Sequence, residues 1–219
     1  MKYDPSRLVL LTPEITLRAY TLGLFPMAQS RNDEQIFWLD PPRRGIIIPQ
    51  SFHTPRRLRR TMRATAYRIR YNHQFDEVVA HCAQQTAHRK DTWLNRPIMH
   101  LHHQLHKQGY AHSIECYHED KLVGGLYGIA LGAVFFGESM FSRKTDASKI
   151  ALCHLVQRLI EKRFRLLDTQ FISEHLKQFG AQEIPRDNYR LLLQAALKGP
   201  HRLFDDSRPQ QPALTLTLP

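Results

Sequence analysis

The sequence predicts a mixed α/β (α+β) fold, and three consecutive segments carry this prediction. Residues 112–141 contain short apolar runs separated by turn signals at Glu119–Asp120 and Leu131–Gly132, which is typical of an antiparallel meander. Residues 146–163 place leucine, isoleucine and valine on one face of a helix. The run RLLDTQFI at 165–172 then predicts a buried strand.

The chain before the meander is predicted to begin with a small N-terminal domain. Thr12 is suited to cap a short helix that Gly23 ends. Several prolines then preclude one long element but leave room for an aromatic strand at 36–39. We therefore expect an N-terminal domain over residues 1–50 and a second domain over residues 51–219.

The second domain is predicted to alternate helices with strands. Helices are expected at 54–63, 75–86 and 97–108, with a strand at 67–71. After the buried strand come a helix containing HLKQF and a last helix at 187–198. A meander, a helix, a strand and a further helix in this order resemble the GNAT-like acyltransferase architecture, so we expect a GNAT-like domain.

The chain is strongly basic, and its charge is concentrated near its start. The 219 residues include 31 lysines and arginines against 20 aspartates and glutamates, a formal net charge of +11. Residues 1–75 hold 13 of these cations and 5 of the acids, which leaves +8 there. Such a surface attracts polyanions, and nucleic acid is the usual partner. A basic protein that is merely soluble is the alternative.

The helix predicted at 54–63 carries much of this charge. Closely spaced guanidiniums repel one another unless phosphates or solvent neutralise them, and this density favours phosphate binding over a solvated face. The arginines concerned are Arg56, Arg57, Arg59, Arg60 and Arg63.

Aromatic residues that look exposed accompany the arginines. Aromatic rings beside arginines suit unstacked bases at a single-stranded end, but for each ring taken singly we favour packing in a core or loop. These residues are Tyr20, Phe37, Trp38 and Trp93.

Cysteine use and hydropathy predict a cytoplasmic protein. The three cysteines are far apart in the sequence, which fits a reducing compartment and neither a disulfide framework nor a zinc site. The start of the chain lacks the apolar core of a signal peptide, and no apolar run reaches membrane-spanning length.

Four histidines at 100, 102, 103 and 106 have helical spacings that a metal could use. No carboxylate or cysteine joins them locally, and no HExxH pattern occurs. We expect a polar helix face there and no metal.

Three polar residues interrupt the apolar strands. Glu138 lies near the end of a run without other charges, and Asp168 and Gln170 share one face of a strand by period two. If both strands lie in one sheet, all three could point into one cleft. Alternatively, Asp168 could cap a helix, and Glu138 could pair with an arginine such as Arg143.

Nine motifs follow one another across nearly the whole chain. They are GLFPM (23–27), FWLDPPRRG (37–45), TWLNRP (92–97), AHSIE (111–115), LVGGLYG (122–128), GESMFSR (137–143), ASK (147–149), LLDTQF (166–171) and GAQEIPR (180–186). Together they resemble the leucyl/phenylalanyl-tRNA–protein transferase family, and GESMFSR with a downstream D-x-Q is specific.

The resemblance implies a GNAT-like C-terminal domain behind a small N-terminal domain, and it implies an aminoacyltransferase. Such enzymes move Leu or Phe, and Met less well, from aminoacyl-tRNA to proteins with N-terminal Arg or Lys. The added residue would mark the acceptor for degradation by the N-end rule. No cofactor and no metal are implied.

The resemblance also implies roles for individual residues. Glu138, Asp168 and Gln170 match the catalytic centre that meets the basic acceptor and its α-amine. Asp168 and Gln170 would orient the amine and accept its proton, although Gln170 is a poor base and could serve for orientation only. Because the ester is already activated and the amine has a pKa near ~8, positioning is expected to supply most of the rate.

Two further groups follow from the residue match. The donor side chain is expected among Leu126, Phe135, Met140, Leu152, Leu155 and Leu159. For the three helical leucines an ordinary core role is a strong alternative. The CCA end of the tRNA is expected near Tyr20, Met27 and Trp93, with phosphates on the arginine helix.

The sequence departs from the family pattern at three positions. Met27 replaces the tryptophan of many members, His102 stands where some have tyrosine, and Ser173 where some have asparagine. The N-terminal module is also shorter than in some relatives.

Two other functions compete with the transferase. An acetyltransferase of this fold needs a glycine-rich turn for the CoA pyrophosphate, but the corresponding segment SRKTDASK has no glycine. An RNA-binding protein without catalysis would explain the charge but not Glu138 and Asp168.

Overall fold

The fold is built on a mixed seven-stranded sheet. A computed structural model describes residues 11–85, 91–199 and 202–204. In chain order, the helices are α1 (Pro13–Thr21), α2 (Arg56–Ala64), α3 (Phe75–Cys82), α4 (Arg96–Lys107), α5 (Ala147–Glu161), α6 (Glu174–Lys177) and α7 (Arg186–Leu197). The strands are β1 (Phe25–Ala28), β2 (Ile36–Leu39), β3 (Arg43–Ile47), β4 (Arg68–Tyr71), β5 (Ala111–His118), β6 (Lys121–Leu131), β7 (Val134–Ser142), β8 (Leu166–Gln170) and β9 (Gln182–Pro185).

The sheet combines the predicted meander with strands from both ends of the described chain. Its order is β4-β5-β6-β7-β8-β3-β9, and β1 pairs with β2 in a separate two-stranded sheet. The pair β7–β8 is parallel, and the other pairs are antiparallel. This arrangement confirms a mixed α/β fold with a central mixed sheet.

Helices cover both faces of the seven-stranded sheet and enclose two apolar cores. One core lies between the sheet and the helices α1, α3, α4 and α7, with Tyr20, Tyr127 and Phe136 at its centre. The other lies between the sheet and α5 with α2, with Phe135 and Leu155 among its buried residues. Successive residues of β7 therefore face different cores.

Most of the predicted elements are confirmed. Thr12 caps α1 by accepting a hydrogen bond from Ile15 N at 3.3 Å. The turn predicted at Glu119–Asp120 has both residues at positive φ, as a tight hairpin requires. The helix predicted at 75–86 ends at Cys82, and part of the remaining stretch lies outside the described residues.

Three short strands were not predicted from the sequence, namely β1, β3 and β9. Strand β3 lies within the segment expected to form the N-terminal domain, yet it pairs with β8 and β9 of the large sheet. The domain boundary after residue 50 stays a prediction.

A helix that spans a membrane must be long enough to cross the hydrocarbon core of a bilayer, and the described ranges contain the helices α1 to α7. None of them combines the length and the apolar character that a membrane-spanning helix needs.

Candidate active site

Glu138 lies in a β-bulge of strand β7. Tyr127 of β6 is opposite Ser139, whereas the next residue, Gly128, is opposite Gly137, so Glu138 is an extra residue in the pairing. A Cβ on Gly128 would lie 2.2 Å from a backbone oxygen of β7, and a glycine is therefore required at this position. The bulge directs the Glu138 carboxylate to side chains of α1 and α4.

The two oxygens of this carboxylate have different surroundings. Oε1 accepts hydrogen bonds from the Tyr20 hydroxyl at 2.7 Å and from the Gln170 amide nitrogen at 3.1 Å. Oε2 is buried and has no hydrogen-bond partner among the residues that the structure describes. Nε2 of His102 lies 3.9 Å from it, which is too far for a direct hydrogen bond. Oε1 is therefore hydrogen-bonded, whereas Oε2 is buried without a hydrogen-bond partner among the described residues.

His102 forms the opposite side of this gap. Its side chain is fully buried, its Nδ1 lies 3.2 Å from the Tyr127 hydroxyl, and its Nε2 has no partner within the described ranges. Burial lowers the pKa of His102 to about 3, so the ring is neutral at physiological pH. A neutral imidazole ring forms no ion pair with the Glu138 carboxylate, so no charge attraction links Nε2 of His102 to Oε2 of Glu138.

Glu138 is present in both its protonated and its ionised form near neutral pH. Burial raises the pKa of Glu138 to about 7, against the hydrogen bond from Tyr20, which lowers it. The charge of Asp168 raises this pKa, whereas the Gln170 hydrogen bond and the charge of Arg44 lower it. A carboxyl group with such a pKa can gain and lose a proton at working pH.

Asp168 is held by several donors at once. Arg44 donates from Nε to Oδ1 at 2.9 Å and from Nη2 to Oδ2 at 2.7 Å. The Gln170 backbone nitrogen donates to Oδ1 at 2.8 Å, and the Tyr189 hydroxyl donates to Oδ2 at 2.5 Å. Both oxygens are therefore occupied, and the ion pair takes the place of the helix cap considered for Asp168.

Arg44 is buried together with its partner, at 1% exposure. Its guanidinium lies over the rings of Phe25 and Tyr189, at 4.5 and 4.6 Å from their centroids, and Nη1 donates to the Gly23 carbonyl at 3.0 Å. Burial without partners would destabilise both charges, and these contacts compensate for it. The network joins β1, β3, β8 and α7 around Asp168.

Gln170 closes strand β8 in an unusual backbone conformation. Its φ is +61°, in the left-handed region that non-glycine residues adopt rarely. Here β3 and β8 also lose register, because Gly45 is opposite Gln170 whereas Ile46 is opposite Asp168. Thr169 is thus an extra residue, and the turned backbone directs the Gln170 amide to Glu138.

Strands β7 and β8 separate at the polar residues. Their parallel pairing ends at Phe136 opposite Asp168, although β7 continues to Ser142. Beyond that point Glu138 and Gln170 connect the two strands by a side-chain hydrogen bond. The structure therefore brings Glu138, Asp168 and Gln170 together, as the sequence analysis predicted.

The residues expected to bind the donor side chain also lie close together, in the core between the sheet and α5. Met140 is partly buried there. The other five are buried: Leu126, Phe135, Leu152, Leu155 and Leu159. Tyr20, which donates to Glu138, belongs in contrast to the core on the opposite face of the sheet.

Tyr20 has the core position that was favoured for each of these aromatics and is not exposed. Tyr20 is 0% exposed, because α1 packs on the sheet and the Tyr20 ring lies 4.8 Å from that of Phe136. Met27 and Trp93 are partly buried against the same core, and Ala28 N donates to the Trp93 carbonyl at 3.4 Å. Met27 and Trp93 thus keep part of their surface accessible, whereas Tyr20 does not.

The arginine helix α2 presents most of its cations to solvent. Leu58 is its buried residue, and Arg56, Arg57, Arg60 and Arg63 are exposed. Arg57 forms an ion pair with Asp146 at 3.2 Å, and Arg59 is partly buried.

The structure excludes one alternative for Glu138 and corrects the expectation about the histidines of α4. Glu138 does not pair with Arg143, whose Nη2 contacts His81 and Gln84 at 3.0 and 3.1 Å. The four histidines of α4 do not form one polar face, because His102 is buried whereas His100 is exposed. Among the described residues, no three metal-ligating side chains converge.

A cavity of about 560 Å³ opens on the outer side of α5. Phe52, Val156 and Ile160 provide apolar walls, and Arg59 lines it from α2. It shares no lining residue with the cluster around Glu138, so the polar cluster and the cavity are separate features.

The sequence analysis missed Arg44, Tyr189 and Tyr127 as parts of the site. Arg44 lies in the motif FWLDPPRRG, and Tyr127 in LVGGLYG, so both motifs carried a signal. Arg44 directly precedes the apolar run GIIIP, and this position was the sequence signal for a buried cation.

Comparisons with known proteins agree on one family. The profile described as "Leucyl/phenylalanyl-tRNA protein transferase" matches residues 46–194, and its "N-terminal domain" profile matches residues 10–42. A leucyl/phenylalanyl-tRNA–protein transferase of Paramagnetospirillum magneticum is 54% identical over 187 residues, covering 85% of this chain and 90% of the relative. One of Phenylobacterium zucineum is 54% identical over 184 residues, covering 84% and 83%.

Proposed function

The chain belongs to the leucyl/phenylalanyl-tRNA protein transferase family, and on this premise we propose how its residues carry out aminoacyl transfer. The enzyme moves an amino acid from aminoacyl-tRNA to the N-terminus of a protein. We propose Leu and Phe, and Met more weakly, as the donor residues, and N-terminal Arg or Lys as the acceptor. The modified proteins would then enter degradation by the N-end rule, and the reaction would take place in the cytoplasm.

One observation supports this function most strongly. A buried carboxylate, Glu138, has one unpartnered oxygen at the place where β7 and β8 separate. A buried carboxylate without a cation is unfavourable, so a cationic or proton-donating ligand would stabilise it. The α-amine and basic side chain of an Arg or Lys acceptor have this chemistry. Glu138 would therefore meet the acceptor.

The fold supports a GNAT-like assignment of the second domain. The pairing of β7 with β8 ends at Phe136 and Asp168, and the donor and the acceptor would meet where these two strands separate. Their parallel pairing inside an otherwise antiparallel sheet agrees with the predicted architecture. The division into domains 1–50 and 51–219 belongs to the same proposal.

On this proposal, substrate groups on the two sides of the sheet would meet where β7 and β8 separate. The donor side chain would lie on the α5 side, among Leu126, Phe135, Met140 and the three leucines of α5. Its ester carbonyl would then reach this place beside Glu138. An apolar pocket separates neighbours by only about 1–3 kcal/mol per methylene, which fits tolerance of Leu, Phe and Met.

The tRNA would lie along the basic surface. The phosphates would contact the exposed arginines of α2, and the CCA end would lie near Met27 and Trp93. Tyr20 would not contact the tRNA directly, since its ring is buried. It would instead hold the Glu138 carboxylate in place, because its hydroxyl donates a hydrogen bond to Glu138.

The acetyltransferase alternative is not supported by the segment before α5. The N-cap of this helix is Asp146, at φ +61°, and its carboxylate bonds with Arg57 and Lys149. A carboxylate at a helix N-terminus opposes the binding of a pyrophosphate there.

A mass measurement tests the proposed function. The protein is mixed with Leu-charged or Phe-charged tRNA and with two peptides that differ only in N-terminal Arg or Ala. We expect the Arg peptide alone to gain the mass of one Leu or Phe residue. No gain on either peptide, with tRNA still bound, would favour an RNA-binding protein without catalysis, and Met27→Trp is then the first variant to examine.

A further inference from the structure

The arginine helix α2 and the place where β7 and β8 separate would act on the same tRNA molecule. The phosphates would contact α2, while the aminoacyl ester would have to reach the two strands. Binding at two points is productive only when the geometry lets both be occupied at once. The contacts that hold α2 against the rest of the fold therefore bear on the transfer reaction.

Helix α2 is short and has few buried residues. It is 9 residues long, and its N-cap Pro55 provides no side-chain hydrogen bond. Leu58 is buried, and Met62 is partly buried against the same core. A helix of this length is marginal by itself, so its contacts with neighbouring elements set its position.

An ion pair joins α2 to the start of α5. Nη2 of Arg57, in the first turn of α2, lies 3.2 Å from Oδ1 of Asp146, and Lys149 donates to the same oxygen at 2.7 Å. The Arg57 side chain is 64% exposed, whereas that of Asp146 is 2% exposed. Beyond the other end of α2, the Tyr67 hydroxyl donates to the Thr145 carbonyl at 3.2 Å. The segment 145–146 thus contacts the chain at both ends of α2.

Asp146 does not act as an ordinary helix cap. An N-cap aspartate usually has an extended backbone and accepts a hydrogen bond from a backbone N–H of the first turn. Asp146 is instead left-handed, at φ +61°, and its side chain makes no such bond. A strained backbone of this kind points to a role for the side chain, whose contacts are Arg57 and Lys149. Burial alone would raise the pKa of Asp146, but Lys149 and Arg57 lower it, so the carboxylate is ionised at physiological pH.

The start of α5 is packed closely against the sheet. Ser142, the last residue of β7, accepts a hydrogen bond from Ser148 N at 3.3 Å. A Cβ on Gly124 of β6 would lie only 2.5 Å from Cβ of Ala147. Asp146 therefore lies at a fixed point between β7, which carries part of the polar centre, and α5, which carries three of the leucines expected to bind the donor side chain.

We propose that Asp146 and Arg57 are positioning residues that hold the phosphate-binding helix α2 in a fixed place relative to the separation of β7 and β8. Arg57 would then differ from the other exposed arginines of α2, because its charge is paired with a buried carboxylate. The inference rests on the proposed function and concerns the delivery of the ester by a full-length tRNA. A donor without the tRNA body does not use α2 and does not depend on the pair.

Single-turnover transfer to the Arg peptide tests this role with two saturating donors, Phe-charged tRNA and 3′-phenylalanyl adenosine. Asp146→Asn removes the charge with little change in volume. It should lower the rate from tRNA by about tenfold or more and leave the rate from the adenosine donor unchanged. The affinity for tRNA should stay the same or rise, since an acid is lost from a basic surface. A phosphate ligand would behave in the opposite way.

Arg57 and Arg60 separate positioning from phosphate binding, since both are exposed arginines of α2. Arg60→Gln should weaken tRNA binding, whereas Arg57→Gln should mainly lower the saturated rate from tRNA. The double variant Arg57→Gln with Asp146→Asn should lose no more than either single variant, because both changes break one interaction. Arg43→Gln is the control, since Arg43 is 56% exposed and its partner Glu183 also lies at the surface.

The outcomes distinguish the two levels of the proposal. No transfer by the wild type from either donor would contradict the proposed function itself. With transfer by the wild type established, a wild-type rate from tRNA in Asp146→Asn, or an equal loss with both donors, would overturn the positioning role. Losses that multiply in the double variant would also overturn it. If Asp146→Asn fails to fold, a wild-type saturated rate in Arg57→Gln, whose side chain is mostly exposed, would do the same.

Discussion

Arg44 and Asp168 form a fully buried ion pair that connects β3 to the strand carrying the polar centre, with Nη2 and Oδ2 2.7 Å apart. The two residues are 124 positions apart in the sequence. Both oxygens of Asp168 have hydrogen-bond partners, whereas the buried Oε2 of Glu138 has none among the described residues. The chemistry assigned to Glu138 therefore depends on a cation supplied by β3.

Removing this cation is expected to destabilise the fold strongly. Arg44→Met leaves Asp168 buried without its partner, and the free energy of unfolding should fall by about 3–5 kcal/mol. The adjacent Arg43 is a matched control, since its side chain is 56% exposed and its pair with Glu183 lies at the surface. Arg43→Met should cost at most about 1 kcal/mol. Urea unfolding measures both, and equal losses would contradict a structural role for the buried pair.

The contribution of Glu138 to the free energy of unfolding should become less favourable as pH rises. The pKa of Glu138 is raised from 4.5 to about 7 in the folded protein, so its stabilising contribution is complete below about pH 4.5 and is lost as pH rises through about 7. Between pH 5 and pH 8, Glu138→Gln should therefore gain about 2.5 kcal/mol in unfolding free energy relative to wild type. Glu183→Gln, at an exposed position, is the control. A constant difference between wild type and Glu138→Gln at both pH values would refute the raised pKa.

Phosphate contacts on α2 should appear in the salt dependence of tRNA binding. Arg60→Gln removes an exposed guanidinium, and the slope of log affinity against log salt should fall by about one. Transfer from a 3′-aminoacyl adenosine, which lacks the other tRNA phosphates, should keep its rate. Arg165→Gln, an exposed arginine beside β8, should change neither quantity. Equal effects of both variants would indicate a general charge effect in place of a binding face.

Met140 offers a test of the donor pocket that spares the core. It is the partly buried member of the set, so Met140→Phe adds volume where some room exists. We expect Phe transfer to fall relative to Leu transfer by about tenfold or more. Met99→Phe, on α4 beside the other core, is the control and should leave this ratio unchanged. An unchanged ratio in Met140→Phe as well would place the donor elsewhere.

Much of the fold follows from local patterns in the sequence. The meander and α5 have strong periodicity, and their pairing partners are neighbours along the chain, so local sequence determines both. Strands β3 and β9 are only 5 and 4 residues long; β3 acquires its structure by pairing with β8, and β9 by pairing with β3. Such distant pairing is not encoded in a local window.

The three polar residues of the site could be predicted from the sequence, but the hydrogen bonds and the ion pair that hold them could not. Glu138, Asp168 and Gln170 stand out as polar residues on apolar strands, and the sheet brings them together. The bulge at Glu138 breaks the period-two alternation, so its direction could not be read from the sequence. The burial of Arg44 and Tyr20 likewise depends on contacts 124 and 118 residues apart, respectively.

The most direct test compares Glu138→Gln with the wild type in two assays, tRNA binding and single-turnover transfer to the Arg peptide at one pH. The account predicts similar affinity for tRNA and a transfer rate lower by about 10²-fold or more. Transfer at the wild-type rate, or loss of tRNA binding together with transfer in a folded variant, would contradict the placement of the reaction at Glu138.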